Sequence, residues 1–401
     1  MRLRAIILLA LSYALLGIAM NSVGAVILQS ITHFGVTKTA ASSLEACKDL
    51  AVVAASFLLA ARIASFGFRH TVMAVMAGMA LACFSAAYAT EFLAMQILFA
   101  MTGFAFGVAK IATYSLIGVI ARDAADHASI TSAIEGVFMI GVLSGAWIFS
   151  FYIGSGDPVG WLRVYWLLAA LFASLAVLWL SVRLDEGASR PGGESATALG
   201  QMLALAVLPA SIAVLAGLFL YVLIEQAVGT WLPTFNAQVL RLPQSMSVQM
   251  SSIYVAAIAA GRLFFGVVLR RAAWQTVLLG CLAGAAILVI ATLPLARLGS
   301  VPIHSWLEVP MAGWLFPLIG FFLAPLYPTI CSVALSRLEP RSHPAMIGLI
   351  VIFSALGGTI GSFIMGLLFD RLPGATAFYF VLGPLGLMAG AIILSSRRAV
   401  A

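Results

Sequence analysis

The sequence predicts an all-α membrane protein: twelve transmembrane helices in two pseudo-symmetric six-helix bundles. Three observations carry that prediction. Of the 401 residues, 63% are hydrophobic and only 9% are charged, whereas a soluble domain carries about 25% charged residues. Apolar runs of the length a bilayer demands, about 20 residues, recur along the whole chain. One long polar connection near the middle divides these runs into two sets of six.

In chain order the first set spans 5–33, 40–63, 70–90, 93–121, 128–153 and 160–183. The second spans 203–232, 245–268, 274–297, 309–336, 343–369 and 375–396. Turn and breaker residues separate them, as in Gly154-Ser155-Gly156-Asp157-Pro158 and Leu372-Pro373-Gly374. Met1-Arg2-Leu3-Arg4 before an apolar run imitates a signal peptide. No soluble domain follows it, so the run reads as an uncleaved first helix. The connection at 184–202 contains Asp185-Glu186-Gly187 and Arg190-Pro191-Gly192-Gly193-Glu194. The expected organisation is a bundle over 1–183, a loop over 184–202 and a second bundle over 203–401.

Basic residues set the orientation, because loops rich in Lys and Arg stay on the cytoplasmic side. With the N-terminus inside, Arg2, Arg4, Arg62, Arg69, Arg122, Arg183, Arg190, Arg270, Arg271, Arg337, Arg341, Arg397 and Arg398 fall on the inner side. The outer side receives only Lys38, Arg163, Arg241, Arg297 and Arg371. Both termini and the central loop are therefore expected in the cytoplasm, across a bacterial-type inner membrane. The net charge of +7 reads as loop anchoring and not as nucleic-acid binding. Cys47, Cys83, Cys281 and Cys331 lie in apolar runs without metal-type spacing and read as small buried hydrophobes.

Against this apolar background the ionisable residues stand out. Glu45, Lys48 and Asp49 share one face of the second segment, at i,i+3 and i,i+4 spacing. A charge near mid-bilayer costs about 2.5–3.5 kcal/mol and marks a functional site by default. The expected role of the three is a polar wall of a central cavity; the alternative is an ion pair satisfied within the helix. Lys110 lies inside the fourth segment, where an ammonium can bind a carboxylate or phosphate or form a permanent ion pair with Glu45, Asp49 or Glu135. Glu135 and Glu225, in the fifth and seventh segments, are candidates to exchange a proton. Asn21, Gln226, Trp231 and Tyr327 complete the expected substrate contacts. His33, His304 and His343 sit at segment ends. No zinc-type spacing, nucleophile elbow or phosphate-binding glycine loop is present, so neither a metal nor a cofactor is expected.

The two halves repeat. His127, Gly141 and Gly145 in the fifth segment match His343, Gly357 and Gly361 in the eleventh, with the same spacings of fourteen and four. Both glycine pairs are small-xxx-small patterns that permit close helix packing. Gly103-Phe104-Ala105-Phe106-Gly107 parallels Gly320-Phe321-Phe322-Leu323-Ala324, and Ala61-Arg62-Ile63 parallels Gly261-Arg262-Leu263. The second pairing places Arg262 near the inner interface. Two six-helix repeats with a substrate path at their interface are a transporter architecture.

Gly261-Arg262-Leu263-Phe264-Phe265-Gly266 with Arg270-Arg271, and Gly67-Phe68-Arg69-His70, resemble loop signatures of the major facilitator superfamily. The resemblance extends over essentially the whole chain. Glu225 to Pro233 and Gly320 to Ser332 are similar to its fucose–galactose–glucose:proton symporter branch. The resemblance implies a major facilitator fold, alternating access without an obligate oligomer, and gating roles for Arg62, Arg69, Arg262 and Arg270. Two departures are visible. Ala64 is nearest the place of the loop's acidic residue, and Gly24 and Lys110 stand where the branch has its proton-coupling carboxylates.

These readings favour a monomeric secondary transporter in the lipid bilayer and weigh against an enzyme, which would need clustered catalytic or metal-binding side chains. Four buried acidic candidates facing Lys48 and Lys110 suit a zwitterion or carboxylate better than a neutral sugar. The expected cargo is an organic acid, zwitterion or carboxylate siderophore, moved with protons. A proton-coupled monosaccharide symporter and, further off, a lipid flippase are the alternatives.

Overall fold

Backbone polar groups find no water partners in a bilayer core, so an apolar run must bond within itself as helix. The computed structural model follows that rule; it describes residues 2–155, 157, 159–182, 195–296, 303, 305–336, 338, 339 and 342–398. Its helices are α1 (Arg2–Asn21), α2 (Val23–His33), α3 (Lys38–Ala41), α4 (Ser43–Phe66), α5 (Phe68–Ala86), α6 (Phe92–Ile120), α7 (Ala124–Ile153), α8 (Val164–Leu180) and α9 (Ser195–Ala206). They continue as α10 (Pro209–Gly229), α11 (Leu232–Gln238), α12 (Gln244–Val268), α13 (Trp274–Ala296), α14 (Met311–Leu315), α15 (Ile319–Leu323), α16 (Leu326–Ser336), α17 (His343–Arg371), α18 (Gly374–Ala377) and α19 (Leu382–Arg398). Among the described residues, eleven stretches have the length and hydropathy to cross a membrane. The charge-bearing α4 completes twelve.

The chain folds as two units, the first from Met1–Val36 and Ser43–Glu194, the second from Thr37–Ser42 and Ser195–Ala401. In the first unit the closest helix pairs are α4 with α6, α1 with α7, and α5 with α8. Missing side chains allow two of these approaches. A Cβ on Gly103 would stand 2.0 Å from the Lys48 carbonyl oxygen, and one on Gly141 would stand 2.2 Å from that of Ala14. The second unit repeats the arrangement. Gly357 and Gly361 of α17 lie against the Phe219 and Leu223 carbonyls of α10, at 2.4 and 2.3 Å from a would-be Cβ. Gly320 of α15 meets the Tyr254 carbonyl of α12. The glycine repeats read from sequence are thus equivalent crossing points.

Three departures from the expected spans stand out. The first span breaks at Ser22, whose hydroxyl donates to the Ala19 carbonyl (2.8 Å) while the Asn21 amide donates to Gly17 (3.1 Å). Such side-chain bonds compete with the helical ladder. The seventh span breaks between Gly229 and Leu232, and Pro233 in the first turn of α11 needs no N–H partner there. The polar connection expected over 184–202 turns helical at Ser195, while 184–194 lie outside the described residues.

The short α3 comes from the first half of the sequence but packs with the second unit. Asp370 of α17 accepts from the Lys38 and Thr39 amides (3.1 and 2.8 Å) and from the Thr39 hydroxyl (2.7 Å). Lys38 Nζ donates to the Phe369 carbonyl at 2.9 Å and lies 5.7 Å from the Phe369 ring centre.

Candidate substrate and proton site

In the first unit α6 presents two different faces. Ile97, Met101 and Phe104 form an exposed apolar strip. With α4 and α5 this strip borders an apolar groove of about 370 Å³ that holds none of the candidate site residues. Lys110 falls roughly opposite that strip at about 100° per residue, on the side of Phe106 and Tyr114. It is exposed, with its ammonium 6.0 Å from the Phe106 ring centre. No carboxylate lies within ion-pair distance of it among the described residues. The permanent pair with Glu45, Asp49 or Glu135 is therefore not formed.

Glu135 of α7 accepts a hydrogen bond from the Tyr114 hydroxyl, 2.5 Å away, and the Tyr13 hydroxyl of α1 interacts with both. The Tyr13 ring lies 5.7 Å from Phe106, stacked, and 4.9 Å from Phe138, tilted. A cation, a carboxylate, two phenols and two apolar rings thus come from α1, α6 and α7 of one unit.

The second unit holds a comparable group. The Tyr221 hydroxyl donates to Glu225 at 2.8 Å, and the Tyr254 hydroxyl donates to the Glu225 backbone carbonyl at 3.2 Å. Tyr327 stands 5.6 Å from Tyr221, ring to ring. Gln226 is half-buried beside Glu225. Arg262 is exposed and close enough to act electrostatically on the Tyr221 and Tyr254 hydroxyls. It therefore belongs with the Glu225 group, about 9 Å short of the end of α12.

Other candidates sit apart. Glu45 and Lys48 are paired with each other and buried, at 0% and 5% exposure, with Asp49 3.6 Å from Lys48 Nζ. They form an inward cluster of the first unit instead of an open polar wall. Trp231 is fully buried, donates to the carbonyl and hydroxyl of Ser362 (both 3.1 Å) and stacks on Phe369, so it packs α11 against α17. Asn21 is exposed at the α1 break. Arg69 donates to the Trp179 and Leu180 carbonyls (3.3 and 3.2 Å), closing the C-terminus of α8. Arg270 lies just after α12, and the Arg62 side chain lies outside the described residues.

Sequence reasoning missed Tyr13, Tyr114, Tyr221 and Tyr254. The signal was available for two of them. Tyr114 follows Lys110 by four residues and Tyr221 precedes Glu225 by four, the spacing that puts side chains on one face. Among the described residues no group of three or more His, Cys, Asp or Glu could hold a metal ion.

Solved structures with the same architecture are transporters. The chain superposes on the nucleoside transporter NupG with a TM-score of 0.76 at 18% identity, covering 98% of this chain and 98% of the other. It superposes on a bacterial homologue of the human lysosomal transporter Spinster, inward-facing and occupied, with a TM-score of 0.78 at 15% identity, covering 98% and 96%. The D-xylose–proton symporter gives 0.67 at 14% identity, covering 98% and 96%. No curated protein matches the chain by sequence. The family model described as Major Facilitator Superfamily matches residues 9–314. The chain belongs to the major facilitator superfamily and is a membrane transporter, not an enzyme.

Proposed function

We propose that the protein moves a small hydrophilic metabolite bearing at least one carboxylate across the inner membrane by alternating access, coupled to protons. Lys110 carries this reading. A lysine in a membrane-spanning helix demands a strong reason. This one has no carboxylate partner among the described residues and stands beside an aromatic and phenolic group able to hold the rest of a solute. The scarcity of basic residues on the expected outer side supports cytoplasmic termini. A monomer carrying one bundle over 1–183 and another over 203–401, joined by the 184–202 connection, completes the proposal.

A ligand-stabilisation screen of the purified protein across organic acids, amino acids, carboxylate siderophores, sugars and nucleosides tests the substrate class. A ligand that binds only the folded state at a hundred times its dissociation constant adds about 2.7 kcal/mol. A carboxylate should stabilise the wild type, and Lys110→Gln should abolish that stabilisation. Undiminished stabilisation of the variant by an anion would remove the main support for this reading. A neutral monosaccharide is the second reading, favoured by the Tyr13–Phe106–Phe138 cluster. It predicts stabilisation by sugars that Lys110→Gln leaves largely intact.

Glu135 and Glu225 are the proposed coupling carboxylates, each held by a tyrosine donor. In proteoliposomes, uptake of the identified ligand should follow an imposed pH gradient in the wild type. Glu135→Gln or Glu225→Gln should weaken that dependence about tenfold or more. Transport indifferent to the gradient in the wild type would exclude proton coupling.

A further inference from the structure

We propose that the carboxylate held at Lys110 belongs to a solute with a planar unsaturated ring, aromatic or heteroaromatic, which stacks on Phe106 and Phe138. This rests on the reading of Lys110 as a carboxylate anchor and adds what the rest of the solute must be. The observation behind it is the uneven surrounding of the ammonium. Phe106 precedes Lys110 by one turn of α6 and Tyr114 follows it by one turn, so the three share a face. Apolar rings lie on the first side of the ammonium. A phenol bonded to an acid lies on the second.

The ring side is built from α1, α6 and α7 of the first unit. Phe106 and Phe138 stand 5.9 Å apart with an interplanar angle of 35°. Tyr13 is 2% exposed and backs both, 5.7 Å from Phe106 and 4.9 Å from Phe138. Gly17, one turn beyond Tyr13, lets Phe138 settle on α1: a Cβ there would stand 3.0 Å from the Phe138 ring. Phe106 and Phe138 are only half-buried, so part of each ring is open to a ligand. These rings offer faces and edges but no hydrogen-bond donor. An acid with a polyhydroxylated chain would leave hydroxyls unpaired against them. A planar ring instead meets them in the offset or edge-on geometries that aromatic groups prefer.

The distances suit a short acid. The Lys110 ammonium lies 6.0 Å from the Phe106 ring centre. A charge-assisted N–H···O contact spans about 2.7–2.9 Å, and paired aromatic rings settle with centres about 4.5–7 Å apart. A ring bonded to its carboxylate directly or through one carbon meets both distances at once. On the other side the Tyr114 hydroxyl donates to Glu135 at 2.5 Å. Glu135 is no partner for a second carboxylate, because like charges set side by side repel. The body of a monocarboxylate therefore turns toward Phe106 and Phe138.

Binding of benzoate and phenylacetate to the purified protein tests this against cyclohexanecarboxylate and cyclohexylacetate, read as thermal stabilisation over a concentration series. The saturated acids match the charge and ring size but cannot stack. The wild type should bind each aromatic acid about tenfold more tightly than its saturated counterpart. Phe106→Leu keeps an apolar side chain and removes the π face, so the ratio should fall to about threefold or less. Cyclohexanecarboxylate should still bind that variant. Phe138→Leu should act in the same way and answers the question if Phe106→Leu does not fold. Lys110→Gln should abolish binding of all four acids. Equal affinities within each pair in the wild type, or a ratio unmoved by either leucine variant, would overturn the ring assignment and leave Lys110 as the anion anchor. Stabilisation by open-chain carboxylates but by none of the four would do the same. Stabilisation by no carboxylate at all would overturn both readings.

Discussion

Lys48→Met is expected to destabilise the protein by about 3–5 kcal/mol, the cost of stranding the partner of a buried ion pair. Lys48 sits in contact with Glu45, which is fully buried, and within 3.6 Å of Asp49. Methionine approximates the apolar stem of the side chain and removes the ammonium, with its charge and its hydrogen bonds. Two carboxylates would then share a site without the ammonium between them. The double variant Lys48→Met/Glu45→Gln should recover most of the loss, because it removes one of the stranded charges along with the pair. Thermal unfolding in detergent measures both. Should the single variant melt like the wild type, the pair contributes nothing to the fold. Should the double variant be as unstable as the single, the loss lies in packing and not in charge.

Gly103→Val should be comparably damaging for a steric reason. A Cβ at Gly103 would lie 2.0 Å from the Lys48 carbonyl oxygen and 2.8 Å from its carbon, both backbone atoms of α4. Neither can rotate away, so α4 and α6 must separate. Overpacking of this kind costs about 1–3 kcal/mol and occasionally more, and the separation would also loosen the Glu45–Lys48–Asp49 cluster. Gly118, further along the same helix, has nothing within 4 Å of a would-be Cβ. There Gly118→Ala should be neutral or gain up to about 1 kcal/mol from helix propensity. The yield of monodisperse folded protein and its melting midpoint give both answers. Equal tolerance at the two positions would contradict the close crossing.

Much of the fold was legible because a bilayer imposes its rules residue by residue. Each span needs a long apolar run, and each close crossing needs a small residue at a definite step. Gly141 with Gly145 and Gly357 with Gly361 therefore announced the α1–α7 and α10–α17 crossings. The break before Pro233 has an equally local cause, a proline that cannot bond back into the preceding helix. The break at Ser22 was not legible, since neither Pro nor Gly marks it and hydroxyl and amide bonds to nearby carbonyls make it. The tenth span was read as one helix but runs as α14, α15 and α16 with a 3-10 turn between the first two.

The candidate site was legible in part. Lys110, Glu135 and Glu225 stood out because each interrupts an apolar run. The tyrosines that hold the two carboxylates did not, since a tyrosine in such a run is as often packing as site. Trp231 looked like a solute contact but is committed to Ser362 and Phe369, far away in sequence.

By itself the sequence determined the number of spans, their grouping into two repeats, the glycine crossings and the presence of costly charges within greasy helices. Hydropathy and residue size are properties of the chain alone, and the bilayer reads them locally. Only the tertiary structure decided that Glu45 and Lys48 turn to each other while Lys110 has no carboxylate in reach among the described residues. It also decided that Thr37–Ser42 packs with the second unit. Helical periodicity fixes which residues share a face, but the neighbour that covers that face is set by contacts between segments distant in sequence.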